Sequence, residues 1–267
     1  MMFRSYASGC SPARFYIEVL HSVIQPSSTR VVHELLSKIY GTSGTAGAFT
    51  PDGMAVSELE VLHELASTDG VTRALEVGMA NGTSSVIIGS AIAGRPGARL
   101  VSVDPFQSAH YQNQGVANVA RAGLAAIHEL RELPNYLALP DLVREQQLFD
   151  FILVDGWHSF DHALLDCFFA DLVLRDGGLL LMHDTDSPPV YKAARFLETH
   201  RPYSRVSPPP VRAAASLAQK ITGRLGAIAR GPAAVRNRRE RRTRWRTLAA
   251  YRKLRNQLTP DRLLTDF

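Results

Sequence analysis

Cysteine and long apolar runs are both scarce in this sequence of 267 residues. Only two cysteines are present, Cys10 and Cys167, and Cys167 lies within an apolar helical pattern. So few cysteines exclude a disulfide framework and a cysteine-based zinc site, and they favour reduced thiols. No uninterrupted apolar run exceeds about five residues, whereas a membrane helix needs roughly 20. The first residues also lack an apolar signal core, so we expect a cytoplasmic protein.

Acidic residues are almost absent from one part of the chain. Residues 201–256 contain 16 lysines and arginines but a single acid, Glu240, which gives the segment a net charge of +15. The 14 basic and 24 acidic residues elsewhere give −10. A basic tail of this kind suits a polyanion, such as an anionic membrane surface or nucleic acid. The alternative is a solvated helical face that pairs with the acidic body or with a second subunit.

Strand-like and helical patterns alternate through the middle of the chain. The strand patterns cover residues 73–77, 99–103, 126–130, 149–154 and 178–182. The helical patterns cover residues 56–66, 84–93, 117–124, 138–145, 163–174 and 190–200. This alternation predicts an α/β fold with a doubly wound, mostly parallel Rossmann-like sheet and helices on both faces. Ligands bind outside the carboxyl ends of the strands in such folds.

The two ends of the chain depart from this alternation. Helical patterns at 12–24 and 29–40 predict an N-terminal helical cap over residues 1–54. A short strand pattern at 203–207 precedes three prolines, and basic helical patterns follow at 211–230 and 233–258. We therefore predict a central domain at 55–204, followed by a basic helical C-terminal appendage at 205–267.

A glycine turn follows the first strand in "LEVGMANGTSS". Gly78 and Gly82 let the backbone approach a ligand closely, and a helix that begins near Thr83 offers free backbone N–H groups. The spacing differs from the Gly-x-Gly-x-x-Gly of dinucleotide sites, and Glu76 would repel phosphates, so a cationic ligand fits better. Asp104 ends the second strand, where its carboxylate can accept hydrogen bonds from ribose hydroxyls. Together these features predict an adenosine-type ligand.

These motifs resemble those of class I S-adenosylmethionine (SAM)-dependent methyltransferases. "LEVGMANGTSS" is similar to the first motif of that family and "VSVDP" to the second. With "GVANVARAGL" and "FDFILVDGWHSFDHALLDCFFADLVLRDGGLLLMHDTD", residues 55–200 resemble a bacterial subgroup from sugar and natural-product pathways, akin to metal-dependent sugar O-methyltransferases. The resemblance implies that the central domain binds SAM. It also implies that the methyl acceptor is a hydroxyl of a sugar, a glycan or a natural product.

The resemblance further implies a set of cofactor-binding residues. They would border the methionine, ribose and adenine portions of SAM, and Glu76 would orient the glycine loop. The set comprises Glu76, Gly78, Ala80, Gly82, Asp104, Phe106 and Asp155. Many relatives have an acid after the third strand for the adenine amino group; Glu132 is the nearest acid here.

Acids and histidines cluster after the fourth and fifth strands. Asp155 and His158 follow the fourth strand, and His183 and Asp184 follow the fifth. Because the carboxyl ends of parallel strands meet at one edge of a sheet, we expect these side chains to converge. In the metal-dependent relatives, one Asp after strand four and two acids after strand five bind Mg²⁺. His183 replaces one of those acids, and imidazole suits zinc, iron, nickel or manganese better than magnesium.

Three interpretations of this cluster stay open. In one, Asp155, Asp184 and His183 hold Mg²⁺ or another divalent metal. In another, the site is metal-free and His158 or His183 is a general base, since an ordinary histidine pKa of about 6.5 suits proton transfer near neutral pH. In the third, the cluster does neither. The candidate catalytic residues are therefore His158, Asp155 and His183, and the resemblance puts His158 at the position of the base.

Two other functions compete with methyl transfer to a small molecule. In one, the core binds the cofactor without turnover, and the tail binds a membrane surface, a partner or a second copy of the chain. Apolar tail residues recur along one helical face among basic ones, as in helices that lie on anionic membranes: Leu217, Ile221, Leu225 and Ile228. The other is nucleic-acid methylation, which we disfavour. Its usual Asn/Asp-Pro-Pro-aromatic loop is replaced by Asp155-Gly-Trp-His158.

Overall fold

A twisted seven-stranded sheet forms the centre of the part of the chain that the structure describes. The structure is a computed structural model that describes residues 26–41, 50, 52–207, 217–232, 235 and 247–255. The strands are β1 (Arg73–Val77), β2 (Arg99–Val103), β3 (His128–Arg131), β4 (Phe149–Val154), β5 (Leu174–Met182), β6 (Tyr203–Ser207) and β7 (Ala249–Lys253). Their order is β3-β2-β1-β4-β5-β7-β6. The first five are parallel, and β7 runs antiparallel to both β5 and β6.

Helices cover both faces of this sheet. They are α1 (Pro26–Tyr40), α2 (Val56–Ala66), α3 (Thr83–Ile92), α4 (Gln114–Ala122), α5 (Asn135–Arg144), α6 (Phe160–Val173), α7 (Pro188–His200) and α8 (Leu217–Ala229). Alternate residues of each central strand belong to two separate hydrophobic cores, one on each face of the sheet. In β4, Ile152 packs with α5, α6 and α7, while Phe151 packs with α1, α2 and α3. All six residues of β4 are buried, as expected for a parallel strand covered on both sides.

The predicted α/β class is therefore confirmed, and several boundaries agree with the structure. The predicted ranges of β1, β2 and β4 coincide with the observed strands. Strand order reverses between β1 and β4, so the carboxyl ends of these two strands flank the point where ligands bind in doubly wound folds. Within residues 26–207, the remaining differences are shifts of one to four residues at element ends, where local sequence signals are weakest.

The C-terminal segment departs from the prediction. We expected a helix across residues 233–258, but Ala249–Lys253 form strand β7 between β5 and β6. Tertiary pairing with two strands overrides the local helical pattern here. The segment that we assigned to an appendage thus supplies a strand of the main sheet, and the basic helical character of the appendage is observed only for α8.

Other expectations for the chain ends fall partly outside the described residues. The predicted helix at 12–24 and Cys10 lie there, whereas Cys167 is a buried free thiol. Helix α1 packs on α2, α3 and α4. In the described ranges, no helix has the length and apolarity needed to cross a membrane. The division into cap, central domain and tail stays a prediction.

We predict that the buried end of β7 contributes strongly to stability. Lys253 is 1% exposed, and its Nζ donates to the carbonyl oxygens of Asp171 at 2.5 Å and Leu174 at 2.9 Å, with Asp171 Oδ1 at 3.4 Å. Lys253→Ala removes all three contacts from a buried region, so the free energy of unfolding in urea should fall by about 3 kcal/mol or more.

The matched control for that variant is Arg252→Ala in the same strand. Arg252 is partly exposed and makes one bond, to the carbonyl of Gly177, so its loss should cost less than about 1 kcal/mol. Equal losses in the two variants would contradict the buried placement of Lys253.

Candidate functional site

A cavity of about 580 Å³ opens at the carboxyl ends of β1, β2, β4 and β5. This volume lies within the range of small-molecule sites. Its walls carry four acids, Asp52, Asp104, Asp155 and Asp184. No lysine or arginine is present among the described residues that line it. The electrostatic potential of the cavity therefore favours a cationic or neutral ligand over a phosphorylated one.

The glycine turn after β1 brings two loops into direct contact. Gly78 has φ +91°, and a Cβ atom built on it would lie 2.1 Å from the carbonyl oxygen of Asp155. Backbone bonds join the same region, from Asp155 N–H to Val77 O and from Gly78 N–H to Val103 O, each at 2.9 Å. Position 78 thus requires glycine for two reasons: its backbone conformation is left-handed, and there is no space for a Cβ atom. The loops after β1, β2 and β4 form one wall of the cavity as a result.

Asp104 holds the glycine loop from the side of β2. Its carboxylate accepts hydrogen bonds from the backbone N–H groups of Met79 at 3.0 Å and Ala80 at 2.8 Å, and from that of Phe106 at 2.8 Å. Ala80 has φ +46°, a left-handed conformation that a residue with a side chain adopts at a cost. The two bonds to Asp104 fix this conformation. Asp104 and Ala80 both line the cavity, in agreement with the positions predicted for cofactor-binding residues.

Two of the predicted cofactor residues lie behind the cavity wall. Gly82 has φ +77°, and a Cβ atom there would lie 2.8 Å from the carbonyl oxygen of Gly115, so this glycine permits close packing of α3 on α4. Glu76 is fully buried and accepts hydrogen bonds from Ser85 and from Ser102, the latter at 2.8 Å. Burial raises the pKa of Glu76 to about 7. Neither residue is part of the cavity lining, and the carboxyl group of Glu76 joins β1 to α3 and β2 behind it.

The segment before α2 is attached to the same loop through Asp52. One carboxylate oxygen of Asp52 accepts from Asn81 Nδ2 at 2.5 Å, and the other accepts from the hydroxyls of Thr83 and, at 3.4 Å, Tyr40. Burial raises the pKa of Tyr40 to about 12. Sequence reasoning missed Asp52, because it stands in a glycine- and threonine-rich stretch without any strand to place it. Through these bonds, Asp52 connects α1 with the glycine turn after β1.

The predicted convergence after β4 and β5 is present. Ligand atoms of Asp155, His158 and Asp184 all lie within 4.8 Å of one another. His158 Nε2 is 3.1 Å from Asp184 Oδ2 and 3.7 Å from Asp155 Oδ1, and the imidazole is half exposed. Asp184 has φ +51°, which turns its side chain back toward His158. The cluster combines a histidine, two carboxylates and access to the cavity.

His183 occupies a different environment from the one predicted. It is 6% exposed, and its Nδ1 lies 3.1 Å from Asp155 Oδ1 and 3.4 Å from Asp184 Oδ2. Its Nε2 lies 3.4 Å from a carboxylate oxygen of the buried Glu58 on α2. Both ring nitrogens therefore face carboxylates. The ligand atoms that converge most closely among the described residues belong to Asp155, His158 and Asp184, and the role of His183 as a metal ligand stays a prediction.

The carboxylates and histidines of this cluster shift one another's pKa values. Burial would lower the pKa of His183, but the charge of Asp155 and the contacts with Asp184 and Glu58 raise it well above 6.5. The interaction with Asp155, reinforced by the charge of Asp184, raises the pKa of His158. Burial would raise the pKa of Asp155, but His183 and His158 hold it below its ordinary value. These contacts favour the protonated form of His183 and the ionised form of Asp155.

Aromatic rings also line the cavity. Phe106, Tyr136 and Trp157 line it, with 41%, 53% and 62% of their surface exposed. His162 lies among them and also lines the cavity. Sequence reasoning did not assign Trp157 or His162 to the site. Glu132 does not line the cavity; it accepts a hydrogen bond from Ser108 N–H at 2.6 Å.

Comparisons with known proteins agree with this architecture. Residues 75–185 match a family model described as a methyltransferase domain. The chain is similar to cofactor-bound Rv0187 from MTB, with a TM-score of 0.57 and 14% identity over 93% of this chain and 100% of the other. It is also similar to an O-methyltransferase from Bacillus cereus in complex with S-adenosylhomocysteine (SAH), with a TM-score of 0.51 and 19% identity over 72% and 89% of the two chains. No curated protein matches the chain. The predicted resemblance to class I SAM-dependent methyltransferases is confirmed.

We predict that a side chain at position 78 disrupts the contact between the loops after β1 and β4. Gly78→Ala adds a Cβ atom against the Asp155 carbonyl, whereas Gly94→Ala adds one at a similar φ of +80° with no atom within 4 Å. The control should lose about 1–2 kcal/mol through left-handed strain alone. Gly78→Ala should lose at least about 2 kcal/mol more, because the overlap displaces backbone. Urea unfolding of both variants measures the difference, and equal losses would contradict the close approach.

Proposed function

We propose that this chain is a SAM-dependent methyltransferase that transfers the methyl group of SAM to a hydroxyl of a small molecule such as a sugar, a glycan or a natural product. The observation that supports this most directly is the position of the Asp155–His158–Asp184 group. It lies in the same cavity as the Gly78 turn and Asp104. A proton acceptor and a cofactor loop that share one cavity are what methyl transfer to a hydroxyl requires.

The cofactor lies along the loops after β1 and β2 in this proposal. Gly78 and Ala80 border the methionine portion, Asp104 accepts from the ribose, and Phe106 packs on the adenine. The sulfonium is a cation, and the acids of the cavity stabilise it without an opposing lysine or arginine among the described lining residues. Glu76 and Gly82 contribute indirectly, because they set the shape of the loop.

His158 is the proton acceptor in the proposed reaction. The acceptor hydroxyl gives its proton to His158 Nδ1, because Nε2 faces the carboxylates of Asp184 and Asp155. The hydroxyl oxygen attacks the methyl carbon in line while the carbon–sulfur bond breaks to leave SAH. Asp155 and Asp184 stabilise the imidazolium that results. His183 holds these aspartates in place through Nδ1, so we assign it a positioning role. The acceptor itself would be uncharged, because the cavity is acidic.

A divalent cation also fits this group. Asp155 and Asp184 offer carboxylate oxygens and His158 offers one nitrogen, a donor set that suits manganese, iron or zinc better than magnesium. When bound, such a cation would orient the acceptor hydroxyl and stabilise its alkoxide. The same three residues would hold it, so proton transfer and cation binding are alternative uses of one cluster.

We predict that cofactor binding and turnover depend on different residues. Calorimetric titration of SAH into metal-stripped protein should give one site, and Asp104→Ala should weaken binding at least about 10-fold. His158→Ala should leave SAH affinity unchanged but lower kcat by about 100-fold or more, measured as SAH release with a panel of sugars and phenols. His33→Ala, at an exposed position on α1, is the control for removal of a histidine.

A chelator added to the same assay distinguishes proton transfer by the cluster from cation binding by it. Activity that survives chelation assigns the group to proton transfer by His158. Activity that disappears and returns with Mn²⁺ or Mg²⁺ assigns it to a cation. Absence of SAH binding by folded protein would contradict the methyltransferase proposal itself.

Helix α8 supports a second proposed function, attachment to an anionic membrane surface. Ile221, Leu225 and Ile228 recur on one face of the helix and are 51%, 61% and 58% exposed. Arg224 and Arg230 are exposed beside them. Apolar side chains flanked by cations are typical of helices that lie in the headgroup region. The net charge of +15 over residues 201–256 complements anionic lipids, while the acidic remainder of the chain is repelled by them.

We predict that the protein floats with vesicles of phosphatidylcholine and phosphatidylserine but not with phosphatidylcholine alone. Replacing the three apolar residues of α8 by serine should abolish flotation, because the buried apolar area is lost. Leu148→Ser, at an apolar residue that is 54% exposed elsewhere, is the control and should float normally. Equal flotation of the triple variant would contradict the proposal. A dimer that the triple variant dissociates would assign the face to a second copy of the chain.

A further inference from the structure

The aromatic end of the cavity contains a hydrogen-bonded chain that the proposed reaction does not use. It runs from Asp166 through Asn135 to His162. Asn135 and His162 line the cavity, whereas Asp166 lies behind them in α6 and is fully buried. Such a chain fixes the proton positions of a side chain that faces the cavity.

The amide of Asn135 has a single consistent orientation. Its Oδ1 accepts from the backbone N–H of Tyr136 at 2.9 Å, and a backbone N–H can only donate. Its Nδ2 therefore donates to Asp166 Oδ1 at 2.6 Å. Burial raises the pKa of Asp166 to about 7, and the second oxygen, Oδ2, has no partner among the described residues. Asp166 thus anchors Asn135 from a position that solvent does not reach.

This orientation determines which nitrogen of His162 carries the proton. His162 Nδ1 is 3.0 Å from Asn135 Oδ1, and an oxygen that already accepts can only accept again. Nδ1 is therefore protonated, and the lone pair of the neutral ring is on Nε2. His162 packs beside Trp157 and Tyr136, with ring centroids 6.4 Å and 6.2 Å away. A fixed hydrogen-bond acceptor between exposed aromatic rings matches a flat, apolar ligand with an N–H group at its edge.

We propose that His162 Nε2 accepts a hydrogen bond from the exocyclic amino group of the cofactor's adenine, so that His162 selects adenosyl cofactors. The inference rests on the proposed function. Phe106 supports the location, since it follows Asp104 by two residues and its ring lies 6.1 Å from that of Trp157. Asn135 and Asp166 are positioning residues that act through the tautomer of His162.

An analogue of SAH whose purine base carries a different hydrogen-bonding group tests this inference. S-inosylhomocysteine carries a 6-oxo group in place of the amino group, so an acceptor would face His162 Nε2 and leave it unpaired. Calorimetry on the full chain should show that SAH binds about 10- to 100-fold more tightly than S-inosylhomocysteine, as expected for a site built around one hydrogen bond. His162→Ala should reduce this ratio to about one, and Asn135→Leu should reduce it partly.

Two further variants separate recognition from structural support. His162→Gln restores an acceptor and should recover part of the ratio, whereas a purely structural role would not be rescued in this way. His33→Ala should leave the ratio unchanged, and urea unfolding checks that every variant is folded. If both compounds bind wild-type protein equally, the inference is overturned while the methyltransferase proposal stands. If neither binds to folded protein, both are overturned.

Discussion

The close approach of the loops after β1 and β4 is the constraint on which the site depends. A side chain at position 78 would overlap the carbonyl group of Asp155. Because Gly78 has no side chain, one cavity contains both the loop held by Asp104 and the cluster around His158. The reversal of strand order between β1 and β4 creates the crevice, but this contact sets its width. The chemistry proposed for the protein requires that width, because the methyl donor and the proton acceptor must be a few ångströms apart.

Histidines, and not lysine or arginine, lie beside the acids among the described residues that line the cavity. Asp155 and Asp184 share two histidines, and the buried one, His183, is paired on its other side with Glu58 from α2. This pairing favours the ionised form of Asp155, although burial alone would favour its protonation. Helix α2 therefore affects the electrostatics of the site although it contributes nothing to the sheet. Glu76 likewise lies outside the cavity: its fully buried carboxyl group accepts hydrogen bonds from Ser85 and Ser102.

Much of the fold could be predicted from the sequence because its strongest signals are local. The apolar runs that end at Val77, Val103 and Val154 define strands whose carboxyl ends carry Gly78, Asp104 and Asp155. The surroundings of His183 could not be predicted, since Glu58 lies 125 residues earlier and reaches it only through helix packing. Strand β7 was missed for a related reason. Its sequence, Ala-Ala-Tyr-Arg-Lys, resembles a basic helix. A buried lysine is tolerable there because two backbone carbonyls and the carboxylate of Asp171 surround the Nζ of Lys253.

The insertion of β7 between β5 and β6 has a consequence for synthesis on the ribosome. Strand β5 ends at Met182 and β6 at Ser207, but the strand that joins them begins only at Ala249. During translation, the edge of β5 therefore stays unpaired while the whole basic segment emerges. An open edge of Leu179, Leu180 and Leu181 is a site at which nascent chains can pair with one another. The positive charge that accumulates next to this edge would keep neighbouring nascent chains apart until the sheet closes.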